Sequence, residues 1–462
     1  MHGTLTSRRL LSAPGRTLRL SALALCVVGL SALGQSSRQS VWEWPQFRGP
    51  NRDGVSLEAG LLSAWPDEGP PLLWSVSGIG RGYSSPSVAD GRVIVTGDIG
   101  EDLVISALDE TGQVLWRTRN GKHWKNPYPG SRSTCTVAGD RAFHVNGHGR
   151  VLCFDPKDGR ERWSIQALTQ FDAKNIRWGI SECLLVDGER VIVTPGGAKA
   201  LMVALDVADG TVAWASPPLR FMRKHRFGGK PVDPPEADVD RAGYASPMIV
   251  ETGGRRLIIS GSARHFFCVD ADTGALVWTR PVFARYEVIG AIPVLCGKSV
   301  FLAAPDEFGG RLFDIAVADK GVELAQRWET PIDNCHGALI HLGKGLYGSG
   351  YRRHRGWARI EVASGALSHQ TTTMVKGSVI AADGRLYALS EDGVFRLVSY
   401  AADQFVCHGE LQLTEGKRKD AWAHPVICGG RLYLRYHDTL SCYDIRDPAR
   451  RLPPAQPQPE AQ

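Results

Sequence analysis

Residues 107–116 read ALDETGQVLW, and the same figure returns at 153–163 (CFDPKDGRERW), 204–214 (ALDVADGTVAW) and 268–278 (CVDADTGALVW). Each copy has a small residue, an apolar residue, Asp, a short polar turn, Gly, and Trp four residues after the Gly. Upstream of each lies an alternating apolar run: RVIVTG, RAFHVNG, RVIVTPG and RLIISG. The Trp spacings are 47, 51 and 64 residues. A period of roughly 40–50 residues with several short strands per unit specifies propeller blades. Asp and Gly make the hairpin between the third and fourth strands, with Gly supplying positive φ. The Trp residues (Trp116, Trp163, Trp214, Trp278) begin outer strands, and the small residue two before each Asp leaves room for a ring. Cys153, Cys268 and Cys442 stand where Ala107 and Ala204 stand elsewhere. Buried free Cys behaves as a small hydrophobe, which accounts for these thiols without disulfides or metals.

Weaker units follow. Residues 290–330 form a fifth blade ending near Trp328, and residues 335–371 a sixth with His369 in the Trp position. Residues 376–416 form a seventh. The eighth has HPVICGG, RLYLRYH and LSCYDI but no outer strand before the chain ends in Pro and Gln. PPLLWSVSG (70–78) is an outer strand with its own Trp74 and no inner strands before it. Pairing 72–76 with 438–444 completes the eighth blade and satisfies both open edges at once. The expectation is an all-β, eight-bladed propeller of four-stranded antiparallel blades, closed by an N-terminal outer strand around Trp74. Seven blades result if the divergent units merge.

The remaining organisation follows from composition. Of 462 residues, 43% are hydrophobic and 22% charged, as in globular proteins. Residues 1–34 carry Arg8, Arg9, Arg16 and Arg19, no acid, and an apolar run from Leu20 to Leu33, which reads as a secretory signal cleaved near Gly34. Residues 35–70 read as an anchoring segment, 71–450 as the propeller and 451–462 as a disordered tail. Without the leader, 50 basic residues face 48 acidic ones, a balance that points away from nucleic acid. The expected protein is periplasmic or otherwise extracytoplasmic, monomeric, and peripheral to a membrane at most. WPQFRGPNRDGVS (44–56) contains a turn at 51–54, and Trp42, Trp44 and Phe47 read as anchors of the incoming chain.

The figure A-x-D-x-x-T-G-x-x-x-W resembles the pyrroloquinoline quinone (PQQ)-type propeller repeat, strongly in four blades. The 44–56 stretch is similar to the mature start of exported bacterial PQQ-like repeat proteins. The resemblance implies either of two functions. Quinoprotein dehydrogenases hold PQQ and calcium in such a propeller. The propeller lipoprotein of the bacterial outer-membrane assembly machinery uses it as a scaffold without cofactor. This chain has no adjacent cysteines, no C-x-x-C-H and no D-x-D-x-D run. It also lacks G-x-S-x-G, a Walker loop and H-E-x-x-H. No catalytic residue, metal site or cofactor is therefore expected. The expected function is a non-enzymatic scaffold that binds a protein, envelope component or ligand at one face, with a PQQ-dependent oxidoreductase as the alternative.

Candidate binding residues come from the start of each innermost strand, one end of which lines the channel mouth. Alignment of the units gives Ser85, Thr134, Glu182, Ser246, Ile292, His336, Gly377 and His424. Arg132, Arg177, Trp178, Tyr83, Tyr244, Lys376 and Trp422 lie just upstream as a rim. The set expected to bind is Arg132, Thr134, Glu182, Ser246, His336, Lys376, Trp422 and His424. Glu182, His336 and His424 stand out because titratable groups converging on a concavity mark sites. Two charged stretches complete the reading: an insertion at 216–244 with five prolines, and YRRHRGW at 351–357.

Overall fold

The inner strands are mostly apolar: Asp102–Leu108 and Arg385–Ser390 bury every residue but the first, and Arg92–Ile99 buries its middle. A strand covered on both faces reads as a continuous hydrophobic run. The outer strands alternate instead, as Val114–Lys122 does. That pattern places the inner strands between neighbouring blades and the outer strands at the rim.

A computed structural model describes residues 43–306, 308–318, 321–401, 404–415 and 420–450. The expected leader (1–34), Trp42 and the expected tail (451–462) lie outside the described residues. The described chain forms eight four-stranded antiparallel sheets. Seven follow in order, with outer strands Val114–Lys122, Glu161–Gln166, Val212–Ala215, Leu276–Pro281, Gly321–Thr330, Leu367–Thr371 and Gln404–Gln412. The eighth joins Val426–Cys428, Arg431–Tyr436 and Thr439–Asp444 to the N-terminal strand Leu72–Ser77. In that closure Trp74 lies opposite Cys442, Val76 opposite Leu440 and Ser77 opposite Thr439. Eight blades, closed at Trp74, is the architecture.

The repeat residues explain how blades dock. The small residue lies directly across the last strand pair from the Trp: Ala107 opposite Trp116, Cys153 opposite Trp163, Ala204 opposite Trp214, and Cys268 opposite Trp278. The ring then covers the hairpin glycine of the next blade. Trp74 lies over Gly112, Trp116 over Gly159, Trp163 over Gly210, Trp214 over Gly274, and Trp328 over Gly365. The indole N–H of Trp74, Trp163, Trp214 and Trp328 donates to the carbonyls of Glu110, Val207, Ala271 and Val362, each one residue past the turn acid. The acid holds that turn: Asp109 accepts from the backbone N–H of Thr111 and Gln113. Trp278 packs instead with Val300, Phe313 and Ile315 of the fifth blade, whose third and fourth strands run long, Gly309–Ala318 and Gly321–Thr330. No disulfide joins any two of the nine cysteines of the described residues, and only Cys407 is exposed.

The 44–56 stretch touches all eight blades, the eighth through Phe47 against the His424 ring at 4.9 Å. Trp44 and Val88 exchange backbone hydrogen bonds in the first blade, and Val137 of the second donates to Pro45. Arg52 donates to the carbonyls of Cys183 (2.7 Å) and Leu184 (3.1 Å) in the third. Phe47 packs among Met248, Ile292 and Ala338, from the fourth, fifth and sixth. Arg48 donates to Leu339, and Ser56 to Ala381 of the seventh. Downstream, Glu58 accepts from Gly429 and Gly430 of the eighth. Arg48 and Arg52 are 1% and 2% exposed. Their guanidinium groups donate to buried backbone carbonyls, which need hydrogen-bond partners away from water.

Candidate binding funnel

The innermost strands start around the channel axis, and side chains from adjacent blades meet there. The backbone N–H of His424 donates to Ser85 Oγ (3.0 Å), that of Thr134 to Cys183 Sγ (3.2 Å), and that of Cys183 to Ser246 Oγ (2.9 Å). With the Thr134 hydroxyl donating to the Ser85 carbonyl (3.1 Å), these contacts knit the eighth, first, second, third and fourth blades. They also define equivalent positions: Ser85, Thr134, Cys183, Ser246 and His424.

Above this ring lies a funnel of about 900 Å³ with Phe47 among its lining residues. It takes residues from every blade. Of the sequence-derived set, Arg132, Thr134, Ser246, His336, Lys376, Trp422 and His424 line it; Glu182 does not. Glu182 is 2% exposed and accepts from the Thr194 backbone N–H at 2.7 Å, inside the third blade. Its place is taken by Cys183. The alignment was one residue out of register there, and a slip of one turns a strand side chain to the other face. Burial pushes the Glu182 carboxyl up to about 7, against the Thr194 bond and the Arg52 charge.

One wall is a stack of rings. His336 lies on Trp422 (4.7 Å, 28°), and Trp422 meets Tyr83 at 4.9 Å and Tyr128 at 5.5 Å. Glu391 sits behind it, paired to Lys376 and 3.5 Å from His336 Nδ1. Burial works against a charge on His336, but the Cys335 thiol and the Glu391 carboxylate outweigh it and hold the imidazole above its usual range. For Glu391 burial opposes ionisation, and His336 with Lys376 overcomes it. His424 behaves oppositely. Burial first, then the Arg48 charge, lowers it to about 3, so it is neutral.

The 351–357 stretch and the insertion supply residues that strand alignment did not reveal. Buried Asp333 accepts from the backbone N–H groups of Tyr351, Arg352, Arg353 and His354, which fixes that loop. Tyr351, Arg352 and Arg355 thereby line the funnel. The insertion forms a two-stranded hairpin, Arg220–His225 with Pro231–Val239. Its tip residue Phe227 packs on Trp178 (5.8 Å) and Tyr286 (5.4 Å), with Arg177 over its ring. Gly228 donates to the Arg285 carbonyl. The hairpin therefore docks on the funnel rim.

Residues 101–225 match a family model described as outer membrane protein assembly factor BamB. No curated protein matches the chain by sequence. Solved structures share its fold. BamB from Moraxella catarrhalis is 15% identical, covering 81% of this chain and 97% of its own, with a TM-score of 0.56. The quinohemoprotein alcohol dehydrogenase from Comamonas testosteroni is 13% identical, covering 89% and 81%, with a TM-score of 0.58. The computationally designed Ika8 protein is 12% identical, covering 81% and 100%, with a TM-score of 0.53. Likeness at this identity concerns the fold, and fold alone does not select a function.

Proposed function

On the premise of an eight-bladed propeller of PQQ-like repeats, we propose that this chain is a non-enzymatic binding scaffold, working outside the cytoplasm, that takes a partner at the open face of its funnel. The basic and apolar pattern of residues 1–34 supports the location. The observation that carries the function is the funnel: a concavity of about 900 Å³ lined by rings and cations from every blade. Convergent polar groups among aromatic surfaces are what a recognition site presents.

The quinoprotein reading meets a chemical obstacle. Calcium takes six to eight oxygen ligands, several of them carboxylates. The funnel lining offers two carboxylates, Asp306 and Glu391. Asp306 is engaged by Arg352 (3.3 Å) and the Arg285 backbone N–H, and Glu391 by Lys376 and His336. Among the described residues no group of three His, Cys, Asp or Glu side chains is placed to hold a metal. The residues present do not fit that cofactor pair. Incubation of the full chain with PQQ and calcium chloride, then desalting, is expected to leave no quinone absorbance and no dye reduction with primary alcohols. Retained quinone together with dye reduction would overturn the scaffold reading.

A further inference from the structure

We propose that the funnel takes an acidic segment of a partner polypeptide, with an aromatic or aliphatic side chain entering between the rings; the inference rests on the open-face reading above. The cations of the lining are already seated on aromatic faces. Lys376 lies 4.9 Å from the Tyr351 ring centre, Arg352 5.1 Å from Tyr351 and 5.3 Å from Tyr286, and Arg132 5.8 Å from Tyr83. Among the described residues no ion pair forms at Arg132, which donates to the carbonyls of Gly130 and Pro127, or at exposed Arg355. The two carboxylates of the lining are both engaged, so the funnel presents surplus positive charge beside flat apolar surface. An anion carrying an apolar group satisfies both features.

The shape favours a chain over a compact molecule. A second depression of about 610 Å³ adjoins the funnel, bounded by Gly229, Phe283, Arg285, Asp306, Arg352 and Arg353. The two spaces share Asp306 and Arg352. The second space is bounded by Gly229 of the hairpin and by Arg352 and Arg353 of the loop held by Asp333. Three arginines border it. A ligand filling both spaces is elongated and carries negative charge along its length.

The test is fluorescence anisotropy of a labelled random copolymer of glutamate and tyrosine, titrated with the full chain. Saturable binding is expected, weakening about tenfold between about 50 and about 300 mM salt as exposed charges are screened. The double substitution Arg285→Glu with Arg355→Glu is expected to weaken binding at least about tenfold. Both side chains are exposed, so an unchanged melting temperature serves as the folding control. Trp422→Ala is expected to abolish the advantage of the copolymer over polyglutamate. Inorganic polyphosphate is the competing probe. If polyphosphate binds and the copolymer does not, and the double substitution weakens that binding, the open-face reading stands and the acidic-peptide inference falls. Binding of neither probe, or copolymer binding insensitive to all three substitutions, overturns both.

Discussion

Trp44→Ala is expected to lower the unfolding free energy by about 3–5 kcal/mol, the range for truncating a buried aromatic side chain. The indole is 1% exposed and packs into the core cluster shared by the first, seventh and eighth blades, with Val88, Tyr387 and Phe395. A Cβ built on Gly49, at φ +82°, would lie 3.0 Å from the Trp44 ring, so that turn is fitted around the indole. Arg52→Met is expected to cost less, about 2–4 kcal/mol, because it keeps most of the volume but leaves the Cys183 carbonyl without its charged donor. Leu184 O retains the Thr136 hydroxyl at 2.6 Å. Urea denaturation of each variant checks this. A loss below about 1 kcal/mol for Trp44→Ala would contradict the fastening role of the stretch.

Gly210→Ala carries the second large effect, expected at about 2–5 kcal/mol. Two costs combine. The position has φ +76°, where an L-residue with a Cβ is strained by about 1–2 kcal/mol. The new Cβ also falls 2.7 Å from Trp163 Cε3, and overpacking of that kind costs about 1–3 kcal/mol. Gly188 separates the two. It has φ +57° but nothing within 4 Å of an added Cβ. Gly188→Ala is therefore expected to lose only the conformational part, about 1–2 kcal/mol. Equal losses at the two positions, read from urea midpoints at matched m-values, would show that the Trp-over-glycine contact does not hold neighbouring blades together.

The repeat was legible because its chemistry is local. A turn acid, a left-handed glycine and a Trp four residues later are fixed within one hairpin. Closure by Trp74 was legible because an orphan outer strand and a three-stranded blade are complementary deficits. What the Trp does was not legible. Its partners, such as Val207 and Gly210 for Trp163, belong to the next blade. The funnel was legible in part, since the residues starting each inner strand converge. It failed at Glu182 because the third blade begins after an irregular loop, and nothing local separated Glu182 from Cys183. Tyr286, Tyr351 and Arg352 were unreadable as lining. Loops of the fourth, fifth and sixth blades bring them there, and a buried acid at 333 holds the last of these loops. Phe47, which reads as an anchor, packs among Met248, Ile292 and Ala338 and also lines the funnel.

The central claim is that the chain works through the open face of the funnel. Hydrogen–deuterium exchange of the full chain, with and without the glutamate–tyrosine copolymer, addresses it most directly. The account predicts slowed exchange at residues 128–134, 351–356 and 422–424, with the outer strands Val114–Lys122 and Leu276–Pro281 unchanged. Protection confined to those outer strands or to residues 44–56, with the funnel residues unaffected, would contradict it.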